Sequence, residues 1–462
     1  MDSQKKIRVF ETHLASDIKL QEQKELSFYE DKAEPAGRED RLLNIYDGVK
    51  YQEILGFGGA FTEATTMNLK CMNPELKKQA MEMYFDREKG IGYNFCRSTI
   101  NSCDFSEDFY TYDDVDGDFE LKHFDISHDK ETIIPAIREA MDMGEDVILY
   151  SSPWSPPAWM KTNEKMSKGG KLKKDCYQVW ADYVAKFIKE YEAAGVPVWG
   201  VTVQNEAKAE QGWESCFYTA EEERAYVVEK LKPAMKKNQL ADKKIMFWDH
   251  NKERVVDRAC VTMGDDVARD CFDGVAVHWY SGDHFGALDV FHGLFPEKLI
   301  IASEQCTGKG KTVYASGEKY AHDIIGDLNN WANAWVDWNM VLDENGNPDH
   351  WKDEQQATGV AEEKIWVGES PIVYDREKKA LDIRSSYYYM GHFSKFIRRG
   401  AKRIGYSVYD STLEACAFEN PDGTIVCVVL NRTDDEKELA LRYQGQLADV
   451  QMKAHSIYTF VF

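Results

Sequence analysis

Eight short apolar runs, separated by longer amphipathic stretches across residues 51–400, predict an α/β protein built on a (β/α)8 TIM barrel. Two further observations complete the expectation. Beyond residue 400 the texture changes to short runs divided by turns, the pattern of an antiparallel β-sandwich. Residues 1–50 also hold extended segments and precede the first barrel unit, so they are expected to pair with the C-terminal strands. The chain should therefore comprise N-terminal strands over 1–50, a catalytic barrel over 51–400 and a β-sandwich over 401–462.

The expected barrel strands are Glu53–Phe57, Tyr93–Ser98, Asp146–Ser151, Val198–Gln204, Lys244–Trp248, Gly274–His278, Leu299–Ser303 and Ala334–Asn339. Helical periodicity falls between them at Pro74–Glu88, Lys130–Met143, Asp175–Ala194, Thr219–Lys237 and Tyr314–Trp331, and again at Ser385–Arg399. Pro74 suits a first helical turn, and Gly144 and Gly195 suit helix ends. The sandwich candidates are Lys5–Thr12, Leu26–Tyr29, Ala401–Tyr409, Glu414–Glu419, Thr424–Asn431, Glu436–Arg442 and Ser456–Phe462.

Bulk composition narrows the function classes. Of 462 residues, 57 are Lys or Arg and 80 are Asp or Glu, a net charge of −23. A surface this acidic argues against nucleic acid and against anionic membranes, which both need a cationic face. No stretch approaches the ~20 apolar residues of a membrane span, so no stable membrane association is expected. The opening MDSQKKIRVFETHLAS lacks an apolar core of signal-peptide length, and a cytoplasmic location is expected. The ten cysteines form no CxxC pair, and there is no HExxH, so the thiols should be reduced and no metal site is expected.

Barrel active sites lie at the C-terminal ends of the strands. There this sequence places Arg97, Asp104, Trp154, Asn205-Glu206, Trp248-Asp249-His250, His278-Trp279-Tyr280, Ser303-Glu304 and Trp335 to Asn339. The mixture suits a sugar, whose C–H faces stack on aromatic rings and whose hydroxyls need carboxylates, amides and cations. Cleaving a glycosidic bond needs two carboxyl groups flanking the anomeric carbon. Glu206 and Glu304 are the natural pair, since each follows its own apolar strand. The glycines of Gly56-Phe57-Gly58-Gly59-Ala60 lack the GxGxxG or GKS/T spacing of a phosphate loop and are expected to serve close packing after the first strand.

Gly56 to Ala64, Ser152 to Asn163 and Val277-His278-Trp279-Tyr280, in that order, resemble glycoside hydrolase family 30 from about Gln52 to the C-terminus. The resemblance implies hydrolysis with retention, Glu206 as acid/base and Glu304 as nucleophile. It implies a sugar site formed by Arg97, Asp104, Trp154, Asn205, His278, Tyr280 and Trp338, with Asn205 at the 2-hydroxyl and Asp104 and Trp154 at the far hydroxyls. Asp104 and Trp154 favour the glucosidase-like branch over the xylanase-like one. The expected activity is that of an exo-acting β-glucosidase needing no cofactor, with a small carbohydrate as its partner. The alternatives are a β-xylosidase, β-fucosidase or β-1,6-glucan-active relative, or a non-catalytic sugar-binding protein. Gln305, where relatives often carry a small residue, is a departure, and so is the Gly- and Lys-rich loop Thr307–Thr312, a kind of loop expected to shape the leaving-group side. The charge of Glu304 should raise the pKa of Glu206 and keep it protonated.

Overall fold

In the computed structural model, which describes residues 6–32, 39–308 and 310–462, eight parallel strands close into a barrel. They are Gly56–Phe61, Phe95–Ile100, Ile148–Pro153, Val198–Thr202, Lys244–Asn251, Gly274–His278, Leu299–Glu304 and Ala334–Asn339. Each pairs with the next, and the eighth pairs with the first. Side chains alternate with the pleat. Phe95, Tyr150, Met246, Ala276, Ile301, Ala334 and Val336 fill one cluster, and Cys96, Leu149, Phe247, Val275, Ile300 and Trp335 join the cluster that also holds the helices. Burial on both faces explains why these strands read as nearly continuous apolar runs.

The first strand corrects an expectation. Glu53 ends a strand of the other domain, Leu42–Glu53, and the glycine run is itself the barrel strand rather than packing after it. The reason is space. A Cβ on Gly58 would stand 2.0 Å from the Phe95 carbonyl oxygen, and one on Gly59 would stand 2.5 Å from Met340 Cγ. Only glycine lets this strand approach its neighbours so closely.

Pro74–Phe85, Ile133–Met143, Tyr177–Ala193, Ala315–Asn329 and Ser385–Ser394 form where helices are expected. Asn73 caps the first of these by accepting from Leu76 N at 2.9 Å. The single helix expected over Thr219–Lys237 is instead Ala220–Tyr226, a π turn over Val227–Leu231 and Lys232–Lys237. The widened turn lies just before Pro233, which has no N–H for the regular ladder. Glu63–Cys71, Val255–Thr262 and Phe285–Leu294 are additional helices. After the eighth strand comes an unexpected excursion. Val341–Asp343, Ile372–Asp375 and Ala380–Ile383 make a small sheet, and helix His350–Ala357 lies in the connection between the first two. Gly368–Glu369 pairs there with Thr307–Gly308.

The remaining strands form one eleven-stranded sheet. Lys6–His13 runs antiparallel to Ser456–Val461, with Arg8 opposite Val461 and Thr12 opposite Ile457. Leu42–Glu53 is inserted between Lys402–Val408 and Lys437–Tyr443. Both ends of the chain thus build the second domain; Lys5 of the first expected strand lies outside the described residues. Gln446–Met452 is a further strand of this sheet. Strand Ile425–Asn431 is buried throughout. Its Ile425, Cys427 and Val429 join the sandwich core, while Val426, Val428 and Leu430 join the core of the barrel helices.

Candidate active site

The barrel pleat delivers the next layer of side chains. Arg97 follows Phe95 by two positions, Ser152 follows Tyr150, His278 follows Ala276, and Trp338 follows Val336. Arg97 is fully buried and holds several groups together. Its Nη1 donates to Glu304 Oε2 at 2.5 Å, and its Nη2 donates to Asn205 Oδ1 at 2.8 Å and to Asp249 Oδ2 at 2.7 Å. Its Nε donates to Ser152 Oγ at 3.0 Å. The guanidinium also lies 4.7 Å from the Trp154 ring centroid.

Three departures from strict alternation place the carboxylates. Pairing of the fifth and sixth strands slips between Trp248 and His250, where Trp248 and Asp249 have φ of 73° and 46°. Phe247 and Trp248 therefore both join the helix-side cluster, and Asp249 turns inward to Arg97. A second slip pairs Val277 with Ala302 but His278 with Glu304. Ser303 and Glu304 thereby both reach the mouth, Ser303 Oγ donating to Asp249 Oδ1 at 2.6 Å. Glu206 follows the fourth strand in a left-handed conformation with φ of 48°. Its backbone N–H donates to Asp249 O and its carbonyl accepts from Ala209 N, each at 2.8 Å.

The two glutamates have separate supports. Tyr280 OH donates to Glu304 Oε1 at 2.9 Å. Gln211 Nε2 donates to Glu206 Oε2 at 2.8 Å. Between them stands His278, with Nδ1 3.4 Å from Glu206 Oε1 and 3.9 Å from Glu304 Oε1, and Nε2 3.0 Å from Asp249 Oδ1. The two carboxylate oxygens can be no further apart than the first two distances laid end to end. That limit is compatible with the ~5–5.5 Å carboxyl spacing of retaining glycosidases.

Charge is distributed differently from the sequence expectation. Burial pushes the Glu206 carboxyl up, but its contact with His278 and the nearby His250 and Gln211 outweigh this and hold it at about 2. Burial pushes His278 down, yet Glu304, Asp249 and Glu206 together raise it to about 9. The charge on His278 thus faces Glu206 across 3.4 Å and holds its carboxyl down, opposite to the upward shift expected from Glu304. Asp249 also overcomes burial and stays well below the carboxylate range, because Arg97 faces it. Asp104 is the opposite case. Burial and the nearby Asp349 and Glu304 carboxyls push it well up, and its Oδ1 has no protein partner.

A cavity of about 680 Å³ opens between these groups. Asp104, Trp154, Asn205, Glu206, Tyr280, Glu304 and Trp338 line it, with Trp154 and Trp338 stacked at 5.0 Å. Arg97 and His278, expected around the sugar, stand behind this wall, fully buried and in contact with the glutamates instead. Gln305 is also buried and does not face the cavity; Cys306, Thr307 and Gly308 do. The sequence reading singled out neither Asp249 nor His250 as a site residue, and it passed over Gln211, Trp213, Lys319, Asp349, Trp351 and Trp366. The sequence places Asp249 and His250 at the end of the fifth strand but gives neither a role there. Among the described residues, Glu206, His250 and His278 make the one group with three ligand atoms within 4.8 Å of one another. Imidazolium formation at His278 competes with metal binding there.

The chain is 34% identical over 447 residues to the lysosomal acid glucosylceramidase of Mus musculus, covering 91% of this chain and 83% of that protein. Its structure resembles that of SrfJ from Salmonella typhimurium with a TM-score of 0.92, at 32% identity and 99% coverage of both chains. It also resembles the endo-β1,6-glucanase BT3312 with a TM-score of 0.85, at 25% identity and 98% coverage of both. The family model described as the glycosyl hydrolase family 30 TIM-barrel domain matches residues 54–397, and that for the family's beta sandwich domain matches 400–460. These matches span the barrel that carries the paired glutamates and the sheet behind it, so the chain belongs to glycosyl hydrolase family 30 and is a glycoside hydrolase.

Proposed function

We propose that this glycoside hydrolase is a retaining, exo-acting β-glucosidase in which Glu304 is the nucleophile and Glu206 the acid/base. The observation that carries the reading is the unequal support of the two carboxylates. Arg97 and Tyr280 each bind a different oxygen of Glu304. A carboxylate gripped on both oxygens by a buried guanidinium and a phenol is fixed in orientation for attack on the anomeric carbon. Glu206 instead faces His278 across 3.4 Å. His278 Nδ1 and Glu206 Oε1 are not hydrogen-bonded at this distance, but a small approach on substrate binding would let a proton pass between them, so the two titrate as a pair. A bound sugar excludes water, and the proton can move to Glu206 as the leaving oxygen draws it away. Once Glu304 is bonded to the sugar, its charge is gone and the same pair accepts a proton from water. Asn205, whose Oδ1 is taken by Arg97, keeps its amide N–H groups to donate to a 2-hydroxyl.

The sugar preference rests on Asp104 and Trp154. The buried Asp104 Oδ1 without a protein partner needs a hydroxyl, and the stacked Trp154 and Trp338 rings offer a flat apolar wall beside it. The glucosylceramidase relative supports the glucoside reading, and the endo-β1,6-glucanase supports β-1,6-glucan activity as the second. A panel of nitrophenyl β-glycosides should show turnover of the glucoside above the xyloside and galactoside. Xyloside as best substrate would overturn the sugar assignment, and internal cuts in a β-1,6-glucan polymer would replace exo by endo action.

A further inference from the structure

Beyond Glu206 and Glu304 the same cavity is lined by Trp213, Trp351 and Trp366. Each belongs to a different segment of the chain. Trp213 lies on the loop that follows Glu206 and carries its partner Gln211. Trp351 lies on helix His350–Ala357 of the excursion after the eighth strand. Trp366 precedes the Gly368–Glu369 ribbon. Glycines place two of the rings. A Cβ on Gly212 would meet Trp351 Cη2 at 2.1 Å, so this ring lies directly against the backbone next to Trp213. Trp213 and Trp351 thereby sit 5.8 Å apart with their planes at 56°. Trp366 lies across the ribbon, where a Cβ on Gly308 would meet its Nε1 at 3.2 Å and one on Gly368 its Cη2 at 3.2 Å. The residue is 49% exposed although tryptophan is the largest apolar residue type.

We propose that these three indoles are a leaving-group subsite for a second sugar ring, so that the substrates are short β-linked gluco-oligosaccharides rather than glycolipids. The proposal rests on the glucosidase reading above. Rings in two orientations offer faces to the C–H surfaces of a pyranose. Gln355 and Lys364, which line the same cavity, offer donors to its hydroxyls. An acyl chain would leave those polar groups desolvated without partners, at a cost in free energy. The cavity volume of about 680 Å³ accommodates two sugar rings and falls in the ordinary range of ligand pockets.

The test compares substrates that differ only in the leaving group: β-glucosyl fluoride, gentiobiose, laminaribiose, and octyl β-glucoside. The intact enzyme should cleave at least one of the disaccharides more efficiently than octyl β-glucoside. Trp366→Ala, a change at a half-exposed residue, and Trp351→Ala should each lower the disaccharide-to-fluoride ratio of kcat/KM by about three- to tenfold, the loss of one ring contact. Octyl β-glucoside preferred over both disaccharides, or an unchanged ratio in both variants, would overturn the sugar subsite while leaving the glucosidase reading intact. Failure of the intact enzyme to turn over β-glucosyl fluoride would overturn both readings together.

Discussion

Asp249 touches neither glutamate side chain, yet it holds Arg97 on one oxygen and His278 on the other. Asp249→Asn would leave two buried cations short of one counter-charge, so the variant should unfold at lower temperature and lose most of its kcat. A buried pair broken in this way costs about 3–5 kcal/mol; calorimetry and a rate assay at saturating substrate read both effects. The proton on His278 sets the pH profile. It is lost as pH rises through about 9, so kcat/KM should fall on that alkaline limb. His278→Gln removes the imidazole that stores the proton, and the limb should move to lower pH; an alkaline limb unmoved in this variant would show that His278 does not hold it. Stability follows the same sign. The folded protein binds this proton more tightly than the unfolded chain, whose histidines titrate near ~6.5. The contribution is complete below that pH and is lost as pH rises through about 9. The glutamates themselves should fail differently. Glu206→Ala should still form the glycosyl intermediate from a dinitrophenyl glucoside, stall, and be rescued by azide as the β-glycosyl azide. Glu304→Gly should form no intermediate and give the α-glycosyl azide. Products of the opposite hand would exchange the two roles.

At the scale of elements, the glycine strand Gly56–Phe61 carries the sharpest expectation. Gly58→Ala puts a methyl group 2.0 Å from the Phe95 carbonyl oxygen, and the barrel must open there to admit it. Overpacking of this kind costs about 1–3 kcal/mol, visible as a lower midpoint in thermal circular dichroism; an unchanged midpoint would contradict the close approach of the first two strands. The strands were legible because each is buried on both faces and so forms an apolar run long enough to see. The same elements hid part of the site. Alternation read from Met246 assigns Trp248 to the interior, whereas the slip at Trp248 and Asp249 sends the indole outward and the carboxylate in. No periodicity encodes that slip. Residues 341–383 were unreadable for another reason. Their elements are short, and the buried strands Val341–Asp343 and Ile372–Asp375 are separated by a long polar stretch, so neither a period of two nor one of 3.6 emerges, and the sequence gives no signal for the tryptophans within them. The glutamates were legible from their places at strand ends, but the position of their proton depends on His278, which meets them only in the closed barrel.

Across the whole molecule, the sheet and the barrel share apolar surface. Phe10, Cys416, Phe418, Val426, Val428, Leu430 and Ile457 of the sheet belong to the cluster that covers the barrel helices. The N-terminal strand Lys6–His13 closes that arrangement by pairing with Ser456–Val461 from the opposite end of the chain. Neither unit keeps its apolar face covered without the other, so heating should unfold the protein in one calorimetric transition; two separated transitions would contradict the shared core. A related check concerns Glu206, His250 and His278 as a ligand cluster. Activity should survive prolonged treatment with a chelator, and loss restored by a divalent cation would assign that cluster to a metal. The central claim is that two carboxylates supported in different ways carry a double displacement. The anomer first released from a nitrophenyl β-glucoside by the intact enzyme, followed by proton NMR before mutarotation, tests it most directly. The account predicts β-glucose at the earliest time points, converting later to the equilibrium mixture, and α-glucose as the first product would contradict it.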